Sequence, residues 1–116
     1  MSEEQAPPTS GALEPGRPVP LAALVQQQPG AVVSRTLSRN PSGTLTVFSF
    51  DAGQGLSEHT APYEAHVLIL EGTATLTVGG QAVPAAGGEI VRLPAHVPHA
   101  VQAVGPFKML LVMLKG

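Results

Sequence analysis

The chain has 116 residues, 43% of them apolar and only 12% charged, with a formal net charge of -2; it is one domain by length and has no basic face for nucleic acid. No run approaches the ~18 apolar residues of a membrane-spanning helix, and the acidic, Pro-rich N-terminus lacks the basic and apolar regions of a signal peptide. Cysteine is absent, which removes disulfides and thiolate ligands and fits a reducing, cytoplasmic setting.

Residues 1–20 carry Pro7, Pro8, Pro15, Pro18 and Pro20 and no hydrophobic period, so a disordered or loosely draped tail is expected there. The folded domain is expected over 21–116. Leu21 to Gln28 suits either one or two helical turns or an extended segment, stopped at Pro29-Gly30. Ala31 to Arg39 is rich in β-branched residues and reads as a strand, ended by the turn Asn40-Pro41-Ser42-Gly43. Thr44 to Phe50 alternates, with Leu45 and Val47 on one face and Phe48 and Phe50 on the other. Asp51 to Gly55 breaks it. Val67 to Leu70 is a short apolar strand. Thr73 to Val78 and Gln81 to Val83 make a hairpin through Gly79-Gly80, a dipeptide that accepts the positive φ angles of a tight turn. Pro84 to Gly88 reads as a loop, Glu89 to Leu93 as a strand ended by Pro94, and Ala100 to Val104 as the next extended segment. Phe107 to Leu114 is the most apolar run and is expected as a strand covered on both faces. Short strands at regular spacing with Gly and Pro between them mean an all-β sandwich or barrel.

All four histidines, His59, His66, His96 and His99, lie between Gly53 and His99. That stretch resembles the two sequence motifs of the cupin family. The first motif is Gly, five residues, His-x-His, three or four residues, Glu, six residues, Gly. Here it reads Gly53, His59, Ala61 in place of the second His, Ala65 in place of the Glu, and Gly72. The second is Gly, five residues, Pro-x-Gly, two residues, His, three residues, Asn. Here it reads Gly88, Pro94, His96 in the Gly position, His99, and Ala103 in the Asn position. The resemblance implies a single cupin-type jelly-roll barrel or sandwich of the RmlC-like kind. It also implies a mouth lined by His59 and His99.

In such proteins two histidines and a Glu of the first motif, with the histidine of the second, hold a divalent ion. Carried over by position, His59 and His99 are the candidate metal ligands, for Zn, Ni, Mn or Fe; Ala61 and Ala65 have no donor atoms. His96, Glu64, His66 and Tyr63 are the neighbours available to complete a set. Without a metal, the two rings would hydrogen-bond each other, water or backbone carbonyls. The candidate ligand-binding residues are His59, Tyr63, Glu64, His96 and His99.

Side chains alternate across a strand, so an inward His59 goes with inward Ala61, Ala65, Val67 and Ile69 and outward His66, Leu68 and Leu70. An outer face bearing two leucines needs a cover: the terminal strand, the N-terminal segment or a second copy. The resemblance implies a homodimer. Three functions remain open: a small-molecule-binding protein with its pocket at His59 and His99, which is the expected one; a metal-dependent oxygenase or isomerase with a non-standard ligand set; and a structural module with an empty barrel.

Overall fold

The computed structural model describes residues 12–115. Of the expected tail, residues 1–11 lie outside the described part; residues 12–20 are exposed and form neither helix nor strand. Among the described residues one 3-10 turn, Leu21–Leu24, is followed by nine strands: β1 (Val32–Asn40), β2 (Gly43–Phe50), β3 (Gly55–His59), β4 (Glu64–Glu71), β5 (Thr73–Val78), β6 (Gln81–Ala86), β7 (Ile90–Leu93), β8 (His99–Gln102) and β9 (Phe107–Leu114). They form two antiparallel sheets, ordered β1-β2-β9-β4-β7 and β3-β8-β5-β6. The molecule is an all-β jelly-roll sandwich. No helix of the described residues is long and apolar enough to cross a membrane.

Alternation decides what lies between the sheets. On β4 the buried residues are Ala65, Val67 and Ile69; on β9 they are Phe107 and Met109; Phe50, Leu76, Leu93 and Val101 are the larger side chains that join them from other strands. At the end of the sandwich where β2 meets the start of β9, Phe50 stacks on Phe107 with ring centroids 4.5 Å apart and on Phe48 at 5.8 Å. Each such buried side chain stabilises the fold by about 1.5–3 kcal/mol. β9 is the central strand of its sheet, with β2 and β4 on either side, which is why its sequence is apolar on both faces.

The loop expected from Pro84 is instead the end of β6. β6 is an edge strand paired only with β5, so a residue without an N–H interrupts no interior ladder there. The β5–β6 turn follows expectation, with Gly79 at φ 59 and Gly80 at φ 83.

The outer face of the larger sheet is covered in part by the N-terminal segment. Val25 is buried against Leu37 and Val47, and Leu21, Leu24, Leu45, Leu70 and Leu110 pack around them. Polar ties hold this segment down. Lys108 Nζ donates to the Ala22 carbonyl at 2.8 Å. Asp51 accepts from the Gly30 N–H at 2.6 Å and from Gln27 Nε2 at 2.9 Å. The Gly30 amide first, and then Gln27, hold the Asp51 carboxyl below its usual 3.8. A folded-state value lowered in this way gives stability that is complete above the unfolded pKa and lost as pH falls through the folded one. The protection factors of residues 21–31, exchange rates taken relative to the intrinsic rate at each pH, should therefore be high at neutral pH and fall only below pH 3.8; in Asp51→Asn they should be low at every pH. Equal protection in the two proteins would show that the carboxylate does not secure the segment.

Candidate functional site

The mouth of the sandwich is made by the β3–β4 and β7–β8 loops, and the His96 N–H ties them by donating to the Ala61 carbonyl at 2.8 Å. His59 ends β3 and His99 begins β8, and the two are register partners. Plain alternation from the inward Leu56 would aim Glu58 inward and His59 out. A bulge changes this: Leu56 faces Val101 and His59 faces His99, so three steps on β3 run against two on β8. The extra residue turns the His59 ring toward its partner.

The rings meet edge to face, with centroids 4.4 Å apart. His59 Nε2 and His99 Nε2 are 3.1 Å apart. The other ring nitrogens are already engaged: His59 Nδ1 lies 2.9 Å from the Ser57 carbonyl and His99 Nδ1 3.1 Å from the Val97 carbonyl. A carbonyl only accepts, so each Nδ1 carries the hydrogen, and in the neutral ring each Nε2 is then a bare lone pair. Two acceptor nitrogens then stand 3.1 Å apart. For the Nε2···Nε2 contact to be a hydrogen bond, one ring must give up its carbonyl, or the pair must take an extra proton.

Behind the pair lies a cavity of about 50 Å³. Its walls are Leu56, Val67, Leu93, Val101, Leu111, Met109 and Met113, with the small Ala61 and Ala65; His59, His99 and Tyr63 are its polar lining. His99 is buried and His59 exposed, so the pair spans the boundary between the cavity and solvent. Tyr63 sits at the rim with the Lys115 ammonium 5.3 Å from its ring centroid.

Of the residues expected at the site, His59, His99 and Tyr63 are brought to this cavity; Glu64 and His96 do not line it. Glu64 belongs to the outward set of β4 and pairs with Arg92, which holds its carboxyl below the usual 4.5. His66 lies on the same outer face, opposite Arg92 on β7. His96 is exposed in the turn before β8 and has φ 65, the one positive value outside glycine among the described residues. That conformation costs an L-residue roughly 1–2 kcal/mol, and the family pattern has Gly there. His96→Gly should raise the urea midpoint by an amount equal to about 1 kcal/mol, with the entropy of glycine in the unfolded chain limiting the gain. A lowered midpoint would mean that the imidazole makes a stabilising contact.

The hard-ion donor set that the resemblance calls for is not assembled. First-row divalent ions want three or four nitrogen or oxygen donors, and no three His, Cys, Asp or Glu side chains lie together among the described residues. Leu56, Met109 and Met113 line the cavity in addition to the residues expected there. For the methionines the signal was there: alternation along β9 from the buried Phe107 puts both on its inner face.

Residues 46–113 match the Cupin domain family. Over 97% of this chain and 98% of the other, the structure is similar to that of a conserved protein of unknown function from Streptococcus pyogenes, with 35% identity and a TM-score of 0.87. It is similar to a cupin superfamily protein from Desulfitobacterium hafniense at 31% identity and TM-score 0.85, over 91% and 96% of the two chains. It also resembles a cupin 2 conserved barrel domain protein from Leptotrichia buccalis at 40% identity and TM-score 0.80, over 82% of this chain and 46% of that one. No curated protein matches the chain. The sandwich, the two motifs and the match over most of the β-structure agree, and the chain belongs to the cupin family.

Proposed function

We propose that this cupin binds a compact, largely apolar small molecule whose one polar group is a hydrogen-bond donor. Support comes from how polarity is distributed in the cavity: apolar walls on every side, and two Nε2 lone pairs 3.1 Å apart at the mouth. Apolar walls with a few placed polar groups are the usual chemistry of a ligand site. A hydroxyl or acid proton directed at the pair would satisfy both nitrogens without disturbing their carbonyl bonds. A volume of about 50 Å³ is small beside the ~300–1,000 Å³ of ordinary ligand pockets, so only a small group enters it. The rest of a larger ligand would emerge past Tyr63. A divalent-metal oxygenase or isomerase needs a third donor beside the pair, and Glu64 is committed to Arg92.

Titration with short-chain alcohols and carboxylic acids, followed by NMR of the imidazole protons, tests the reading. Resonances of His59 and His99 should move together, those of His66 and His96 should stay, and Val67→Phe, which fills the cavity, should abolish the response. Shifts at surface histidines alone, or an unchanged response in the filled variant, would remove the proposed site. We also expect a homodimer through the outer sheet face that the N-terminal segment leaves open, where Ile90 is 63% exposed beside its register partner Leu68. Light scattering should give twice the monomer mass, and Ile90→Glu should give the monomer; a monomeric parent chain refutes it.

A further inference from the structure

We propose that the cavity mouth is a site for a soft monovalent cation of the Cu(I) type, held by His59 Nε2, His99 Nε2 and the thioether of Met113. This goes beyond the small-ligand reading, although both use the same two Nε2 atoms at the cavity mouth. It begins from the two Nε2 atoms, 3.1 Å apart. Each ring is fixed by an Nδ1–H bond to a backbone carbonyl, of Ser57 and of Val97. Such a bond on the far nitrogen orients a metal-binding imidazole, fixes its tautomer and raises its basicity. Two nitrogens 3.1 Å apart, each about 2.0 Å from one ion, subtend about 100° at it. That angle does not suit a linear two-coordinate ion, and it leaves room for a third donor on the open side.

The third donor cannot come from the family's carboxylate position, which is Ala65, nor from Glu64, which is turned outward to Arg92. Sulfur is available instead. The chain has 3 methionines; apart from Met1 they are Met109 and Met113, and both line this cavity. Met113 is the direct cross-strand neighbour of Ala65, on the same rung as Leu93, where the chain enters the loop that carries His96 and leads to His99. Its side chain thus stands beside the place where the carboxylate is missing. The histidines project from one sheet and Met113 from the other. Facing sheets lie about 10 Å apart, a gap that one imidazole and one thioether together can bridge. Met109 pairs with Ile69, four residues and about 13 Å further along β9, and belongs to the inner wall.

Donor chemistry then selects the ion. Mg²⁺, Ca²⁺ and Mn²⁺ take oxygen ligands, whereas thioether with imidazole suits Cu(I). Methionine is also a flexible filler of irregular core space, and the two roles separate cleanly, because Met→Leu nearly conserves volume while removing the sulfur donor.

The test uses the full chain, anaerobically, with Cu(I) supplied from a chromophoric Cu(I) chelator. One equivalent should transfer to the protein, and X-ray absorption should report one sulfur and two nitrogen neighbours. Met113→Leu should weaken uptake at least tenfold, Met109→Leu should stay within about twofold of the parent, and His99→Ala should abolish uptake. No transfer, or uptake unchanged in Met113→Leu with no sulfur neighbour, overturns the assignment. Should His99→Ala fail to fold, the two leucine variants decide by themselves. Alcohol-induced shifts at the histidines that persist while Cu(I) does not bind would overturn this inference and leave the small-ligand site standing.

Discussion

An Ala61→His, Ala65→Glu double variant should bind Zn²⁺ or Mn²⁺ at least about 100-fold more tightly than the parent chain, because it raises the donor set from two groups to four. Both alanines line the same cavity as His59 and His99, so side chains grown from their Cβ atoms enter the space where the two Nε2 atoms converge. The same change should make the metal-free protein less stable. Ala65 is 4% exposed, and a carboxylate set there without a cation loses hydration that nothing returns. A cavity of about 50 Å³ is also too small for an added imidazole and carboxyl without crowding, which typically costs 1–3 kcal/mol, about as much again. The expected signature is therefore coupled: a urea midpoint lowered by the equivalent of about 2–4 kcal/mol without metal, and recovery of about 2.7 kcal/mol at a free Zn²⁺ concentration 100 times the dissociation constant. A midpoint that does not respond to metal would mean that positions 61 and 65 do not face the histidine pair.

The same positions show what the sequence could and could not say about the site. Strand alternation, started from an inward His59, gives the inner and outer faces of β4 that the structure has, because a side-chain period of 2 is rigid once one inward residue is set. The faces of β2 followed in the same way, with Phe48 and Phe50 packed in the core and Leu45 and Val47 toward the N-terminal segment. His59 was legible only through the family motif. By alternation Glu58 would share the inward face of Leu56, and the bulge that reverses this has no local signature in GLSEH. The pairing of Glu64 with Arg92 joins residues 28 apart in sequence, so it depends on β4 and β7 being neighbours, a fact of topology. Pro84 departs from the expected loop for a related reason: its tolerance in a strand depends on whether that strand lies at an edge, as β6 does. Which cover lies over Leu70 was also open in the sequence. Val25 and its neighbours supply it: Leu21, Leu24 and Val25 pack with Leu37, Leu45, Val47, Leu70 and Leu110 on the outer face.

Phe50→Ala should lower stability by about 3–5 kcal/mol, the largest loss expected from a single truncation in this chain. Phe50 is fully buried, and its ring is stacked on both Phe107 and Phe48. No tryptophan is present and aromatic residues make up only 3% of the chain, so this stack supplies most of the large, flat surface available to the core. Its position sets how the loss is felt. Phe50 pairs with Phe107, the first residue of β9, while the histidine mouth lies near Met113 at the other end of that strand. Truncation should leave the neighbours of Phe50, held in two packed sheets, unable to collapse fully, so part of the cost is a residual void lined by apolar groups. Such a void stays dry and admits small apolar molecules. Two readouts follow. Benzene should raise the melting temperature of Phe50→Ala and leave that of the parent unchanged, and the imidazole resonances of His59 and His99 should stay within the spread of the parent spectra. Should the histidine resonances move as far as those of the core, the aromatic stack and the mouth would be one cooperative unit. Should benzene protect neither protein, the sheets would have closed over the missing ring, and the measured loss should then fall toward the lower end of the range.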